Sequence, residues 1–157
     1  SALINIIRLF VKTDEHLILF VSFGGRRCSD SPRAIYDYMR NDVRFRGYKL
    51  VWGFVEPEDF QGIKHKVKID TLDYYITYLK ARCWITNVTI QRGLNYKGKH
   101  TFYLYTGHGS PIKKCGKDVN NKKTFRSAAN SSGDACLAQS EFEKWVSTII
   151  SGKFLNA

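Results

Sequence analysis

Residues 17–39 read LILFVSFGGRRCSDSPRAIYDYM, and their order of residue types decides the fold class. Leu17 to Phe23 is a continuous apolar run of strand length, the pattern of a strand covered on both faces. Gly24 and Gly25 follow as a turn. Ser29, Asp30 and Ser31 then offer helix N-caps, Pro32 suits a first helical turn, and Ile35, Tyr38, Met39 and Val43 are spaced as one apolar helix face. Strand, glycine turn and helix in that order form the first half of a parallel crossover unit.

The unit recurs along the chain. Residues 48–54 (YKLVWGF) read as a second strand closed by Glu56 and Pro57, and Val67 with Ile69 marks a short third. Asp70 or Thr71 can cap a helix whose face is Leu72, Tyr75, Ile76 and Leu79. It leads into a fourth strand over 82–87, a fifth over 101–105 and a sixth over 134–138. Ser140 and Glu143 form a capping box for a last helix with Phe142, Val146, Ile149 and Ile150 on its apolar side. Leu3, Ile4, Ile7, Phe10 and Val11 make a short amphipathic packing helix at the start. Strands alternating with helices predict an α/β fold, a Rossmann-like parallel sheet flanked by helices.

The chain has 157 residues, enough for one domain with a sizeable core, and 43% apolar, 25% charged and 14% aromatic content excludes a disordered tail, a collagen repeat or a coiled coil. Twenty-five Lys and Arg against fourteen Asp and Glu leave +11, which points to an anionic partner. No apolar run approaches the roughly 20 residues of a spanning helix, and no signal peptide is expected. Cys28, Cys83, Cys115 and Cys136 lie too far apart for zinc spacing and are expected to be reduced thiols; the sequence calls for no metal and no cofactor.

In a parallel sheet, ligands bind beyond the carboxyl ends of the strands. Residues 24–32, 86–92 and 106–118 fall there. Neither G-x-G-x-x-G nor a Walker A loop is present, which disfavours a dehydrogenase or P-loop enzyme. Gly25, Arg26, Arg27, Ser29 and Ser31 before a helix can bind phosphate through backbone N–H groups and guanidinium; the same spacing also fits a tight turn with solvated arginines. Residues 92–126 hold nine basic residues against Asp118 alone. They surround Gly107-His108-Gly109-Ser110, where flanking glycines permit close approach and the imidazole titrates in the range a general base requires.

Residues 20–39 with 45–54 (FRGYKLVWGF), 68–87 (KIDTLDYYITYLKARCWITN) and above all 106–118 (TGHGSPIKKCGKD) resemble the bacterial CDP-glycerol glycerophosphotransferases, which include the teichoic acid polymerases. The last segment is similar to their W-H-G-T-P-x-K-x-x-G-x-D signature, with Gly107 in place of Trp and Ser110 in place of Thr. The resemblance implies a GT-B enzyme that moves glycerol phosphate, or a related polyol phosphate, from a CDP-activated donor to a hydroxyl of a teichoic acid or capsular polymer, releasing CMP. It implies that His108 is the catalytic base, and that Gly25, Arg26, Arg27, Ser29, Asn87, Gly109, Ser110, Lys113, Lys114 and Asp118 line the substrate site. It further implies that residues 1–157 are the N-terminal, acceptor-side domain, without the CDP-glycerol-binding domain. The protein would work in the cytoplasm or peripherally on the inner membrane face, with a lipid-linked or polymeric acceptor. The alternative is a non-catalytic basic module for an anionic polymer; nucleic acid is not expected, since no RNP-like or helix-turn-helix pattern occurs. A small hydrolase is disfavoured by the lack of a Ser or Cys nucleophile motif.

Overall fold

The computed structural model describes residues 10–88, 90, 97–107 and 133–137. Within them lie β1 (Asp14–Val21), α1 (Asp30–Asn41), β2 (Lys49–Phe54), β3 (Lys66–Lys68), α2 (Leu72–Lys80), β4 (Ala81–Thr86), β5 (Phe102–Tyr105) and β6 (Ala135–Cys136). The six strands form one sheet in the order β3-β2-β1-β4-β5-β6. Every pairing is parallel. This is the Rossmann-like, doubly wound order, whose switch point falls between β1 and β4. The helix expected over 140–150 lies outside the described residues, as does most of the expected N-terminal one.

Alternation along β1 divides the core. Leu17, Leu19 and Val21 face α2, where Tyr74, Tyr78 and Leu79 pack with Val51, Trp84 and Tyr103. Ile18 and Phe20 face α1, where Tyr36 and Met39 pack with Leu50, Trp52, Phe54 and Ile85. Each side is anchored by a fully buried indole. Trp84 stacks on Tyr78 at 4.1 Å between centroids and donates its Nε1–H to the Tyr78 carbonyl at 2.9 Å. Trp52 lies between the rings of Phe20 and Phe54, each 5.5 Å away. Gly53 leaves the room that the Tyr74 ring occupies, since a Cβ there would stand 2.9 Å from Tyr74 Cε2.

Both helix faces differ from those the spacing predicts. Pro32, Tyr36 and Met39 are the buried positions of α1, whereas Tyr38 and Val43 are 57% and 64% exposed. Tyr36 wins because its ring meets Phe20 and Trp52 edge-on, at 5.5 and 5.7 Å. Tyr38 instead lies beneath the Arg44 guanidinium. In α2, Tyr74, Tyr78 and Leu79 are buried and Leu72 is 55% exposed. Thr71 is the cap, its hydroxyl accepting from the Tyr74 N–H at 3.3 Å, while Asp70 holds a φ of 65° just before it. β1 starts and ends earlier than 17–23: Ser22 makes an isolated bridge to Arg27, and Phe23 has turned into a left-handed conformation.

Candidate functional site

The loops after β1, β4 and β5 converge at the carboxyl edge. After Val21 the chain makes a 3-10 turn over Phe23–Gly25. Phe23, Gly24 and Gly25 all have positive φ, at 47°, 64° and 84°. Gly25 is required twice over. Its φ suits glycine, and a Cβ there would overlap Cδ1 of Ile69 while standing 3.2 Å from both the Gly53 carbonyl oxygen and the Val55 nitrogen. The Val55 N–H donates to the Gly25 carbonyl at 2.9 Å, tying the turn to the end of β2.

The Ser22 hydroxyl, buried, donates to the Ser29 carbonyl at 2.9 Å, which closes the loop across its neck. Between these ties Arg26 and Arg27 are exposed, with the Arg27 guanidinium 5.3 Å from the Phe23 ring centroid. Ser29 occupies the N-cap position of α1 but makes no side-chain capping bond. Asp30, in the first turn, has a φ of 66°. Farther along the helix, Arg33 bonds Asp37 at 2.6 Å and the Cys28 sulfur at 3.2 Å. Those bonds, Asp37's first, hold its guanidinium above its ordinary range.

Asn87, directly after β4, is fully buried. Its Oδ1 accepts from the Phe23 N–H at 2.8 Å, and its Nδ2 donates to Asp30 Oδ2 at 2.7 Å. One amide therefore grips both ends of the glycine turn from across the switch point. The Thr106 N–H donates to the Thr86 carbonyl at 2.8 Å, so the end of β5 is held beside the end of β4. Gly107 follows with a φ of 64° and open space where a side chain would project.

Gly25, Arg26, Arg27, Ser29 and Asn87 thus come together at one edge. Gly107, on that edge, is the residue before His108. His108, Gly109, Ser110, Lys113, Lys114 and Asp118 lie outside the described residues. Of the nine basic residues over 92–126, Lys97 and Lys99 are described. Lys97 pairs with Asp134 at 2.9 Å, and Asp134 also accepts from the Tyr103 N–H at 2.8 Å, so Lys97 serves to hold the β5–β6 border. Sequence reasoning placed Asp30 on this edge, within residues 24–32, but missed Ser22 and the bond that joins Asp30 to Asn87. Ser22 ends the apolar run and could have been marked by that position; nothing local connects Asp30 to Asn87, 57 residues away. Among the described residues no group of His, Cys, Asp and Glu could hold a metal ion, and no helix is long and apolar enough to cross a membrane.

A six-stranded parallel sheet with this order, its β1 loop carrying two exposed arginines and no dinucleotide fingerprint, defines a Rossmann-like α/β domain. The chain belongs to the CDP-glycerol:poly(glycerophosphate) glycerophosphotransferase family, whose profile matches residues 3–149. It is 38% identical over 104 residues to a teichoic acid poly(glycerol phosphate) polymerase of Staphylococcus epidermidis, a match covering 65% of this chain and 14% of that protein. It is 33% identical over 113 residues to a teichoic acid glycerol-phosphate transferase of Staphylococcus aureus, covering 70% and 28%. A solved histidine-to-asparagine variant of the wall teichoic acid polymerase TagF superposes with a TM-score of 0.86 at 26% identity, over 99% of this chain and 41% of that one. The chain therefore spans well under half the length of these relatives.

Proposed function

We propose that this chain is the acceptor-side domain of a GT-B glycerophosphotransferase, transferring glycerol phosphate or a related polyol phosphate from a CDP-activated donor to a polymer hydroxyl. The observation that carries this reading is the family match over 3–149 together with a superposition that uses 99% of this chain but 41% of the polymerase. A partner domain binding CDP-glycerol would complete the cleft at the carboxyl edge, and the assembly would act in the cytoplasm at the inner membrane face.

In this reading His108 takes the proton of the acceptor hydroxyl as its oxygen attacks the phosphorus that bears glycerol. The new phosphodiester P–O bond forms, the bond to the bridging pyrophosphate oxygen breaks, and CMP departs with the electron pair. Little covalent chemistry falls to the protein in such a displacement, so placement and charge neutralisation dominate. Arg26 and Arg27, with Lys113 and Lys114, would hold the acceptor's phosphates; Gly25, packed against Ile69 and the end of β2, would set the turn that presents the two arginines; Gly109 would let the backbone approach the phosphates, and Ser29, Ser110 and Asp118 would orient the cluster.

The test is His108→Ala in a polypeptide that joins this domain to a donor-binding one. Transfer from CDP-glycerol to a glycerol phosphate oligomer should vanish while donor affinity and the far-UV spectrum stay unchanged. Retained turnover would remove His108 from the mechanism. Loss of folding would mark it as structural.

A further inference from the structure

Asn87 is a buried polar side chain that joins the end of β4 to both ends of the β1 turn at the switch point, and its two ends are not interchangeable. The Phe23 N–H needs an acceptor and the Asp30 carboxylate needs a donor, so only one orientation of the amide satisfies both. Phe23 and Asp30, the two residues it holds, are also the two non-glycine residues of this loop with left-handed φ, at 47° and 66°. L-residues adopt that conformation rarely. Between them the chain carries Arg26 and Arg27, both exposed.

Asp30 matters in a second way. A helix N-terminus attracts anions, and here the first turn of α1 already contains a carboxylate, held in place by Asn87. A phosphate approaching this edge would be repelled by that carboxylate at the helix end and attracted by the two guanidinium groups.

We propose that Asn87 and Asp30 form a positioning pair for the acceptor: Asn87 acts by fixing the Phe23–Asp30 turn, and the paired Asp30 carboxylate directs polyanion binding to Arg26 and Arg27. This rests on the acceptor-side reading above. Asn87 is fully buried with both ends of its amide engaged inside the chain, so its influence passes through the turn and not through contact with substrate.

The hydrogen-bond pattern can be reversed. Asn87→Asp keeps the acceptor for Phe23 but sets two carboxylates against each other; Asp30→Ala removes the acceptor that the Asn87 Nδ2–H requires. The double variant Asn87→Asp with Asp30→Asn restores one donor–acceptor pair with the parent's net charge. Binding of a synthetic glycerol phosphate oligomer to the 157-residue chain is measured by calorimetry, with amide hydrogen exchange at Phe23 and Arg26 read by NMR. Each single substitution should weaken binding about tenfold, the scale of one lost hydrogen bond to a charged group, and speed exchange at Phe23. The double variant should recover both to within about threefold. Should Asn87→Asp fail to fold, Asp30→Asn, which keeps a carbonyl acceptor for Asn87, should bind the oligomer more tightly than Asp30→Ala, and equal binding by the two would overturn the pair.

Single variants that bind like the parent chain would overturn the pair, as would a double variant no better than the singles. A parent chain that binds no oligomer would refute the acceptor-side reading instead, and with it the pair's part in acceptor binding. Exchange at Phe23 would still show whether Asn87 holds the turn.

Discussion

Replacing Gly25 by alanine tests the geometry of the β1 turn at its tightest point. Two costs are separable there. The φ of 84° places an L-residue in left-handed space, worth about 1–2 kcal/mol. The new methyl also overlaps Ile69 Cδ1 and presses on the backbone of Gly53 and Val55 at 3.2 Å, an overpacking of about 1–3 kcal/mol. The sum, about 2–5 kcal/mol, is a large part of the roughly 5–15 kcal/mol that holds a domain together. Urea unfolding followed by far-UV circular dichroism measures it directly, and the midpoint should fall with the slope unchanged. Ile69→Val removes the overlapping Cδ1 and by itself costs about 0.5–1.5 kcal/mol. In the double variant the steric part should be relieved while the φ part persists, so the combined loss should be smaller than the sum of the single losses by about 1 kcal/mol or more. Additivity within about 0.5 kcal/mol would refute the claim that Ile69 is what makes glycine necessary.

Other perturbations address charge and burial. Arg26→Gln with Arg27→Gln should weaken binding of a glycerol phosphate oligomer and flatten its dependence on salt, because two exposed cations are lost; an unchanged salt slope would place the anion elsewhere. His65 is held below its ordinary value, first by burial and then by Lys64 and Lys49. A histidine whose folded pKa is depressed favours the unfolded chain once protonated, so its contribution to stability is lost as pH falls through the unfolded value of about 6.5 toward the lower folded one. His65→Gln should therefore narrow the difference between urea midpoints at pH 7.5 and pH 5.5, and an identical difference would show that His65 does not report the transition. Partial burial pushes the Cys83 thiol up to about 12, so at pH 8 iodoacetamide should modify it far more slowly in the native chain than in urea; equal rates in the two conditions, read by mass spectrometry at Cys83, would contradict that.

The strands were legible because a sheet covered on both faces leaves an unbroken apolar run, as at Leu17–Val21, and the alternation of strands with caps and helix periods gave the parallel architecture. Helix faces were less legible. In α1 the series Ile35-Tyr38-Met39 and the series Pro32-Tyr36-Met39 satisfy nearly the same period, and tyrosine, with an apolar body and a polar tip, suits either the core or the surface. What separated them was the pairing of Tyr36 with Phe20 and Trp52, a tertiary fact. The glycine turn was visible as a turn, and Asn87 as a residue at a strand's carboxyl end. The bonds from Asn87 to Phe23 and Asp30 span 64 and 57 residues, and no local pattern encodes a contact made by strand order. The basic stretch shows the opposite failure: charge counting treated Lys97 like its neighbours, although its ammonium is committed to Asp134.

The central claim is that this chain carries the acceptor side of glycerol phosphate transfer. Parallel calorimetric titrations of the 157-residue chain with a glycerol phosphate oligomer and with CDP-glycerol test it most directly. The account predicts that the oligomer binds, more weakly as salt is raised, and that CDP-glycerol binds weakly or not at all. Submillimolar binding of CDP-glycerol without binding of the oligomer would contradict it and assign the donor to this domain.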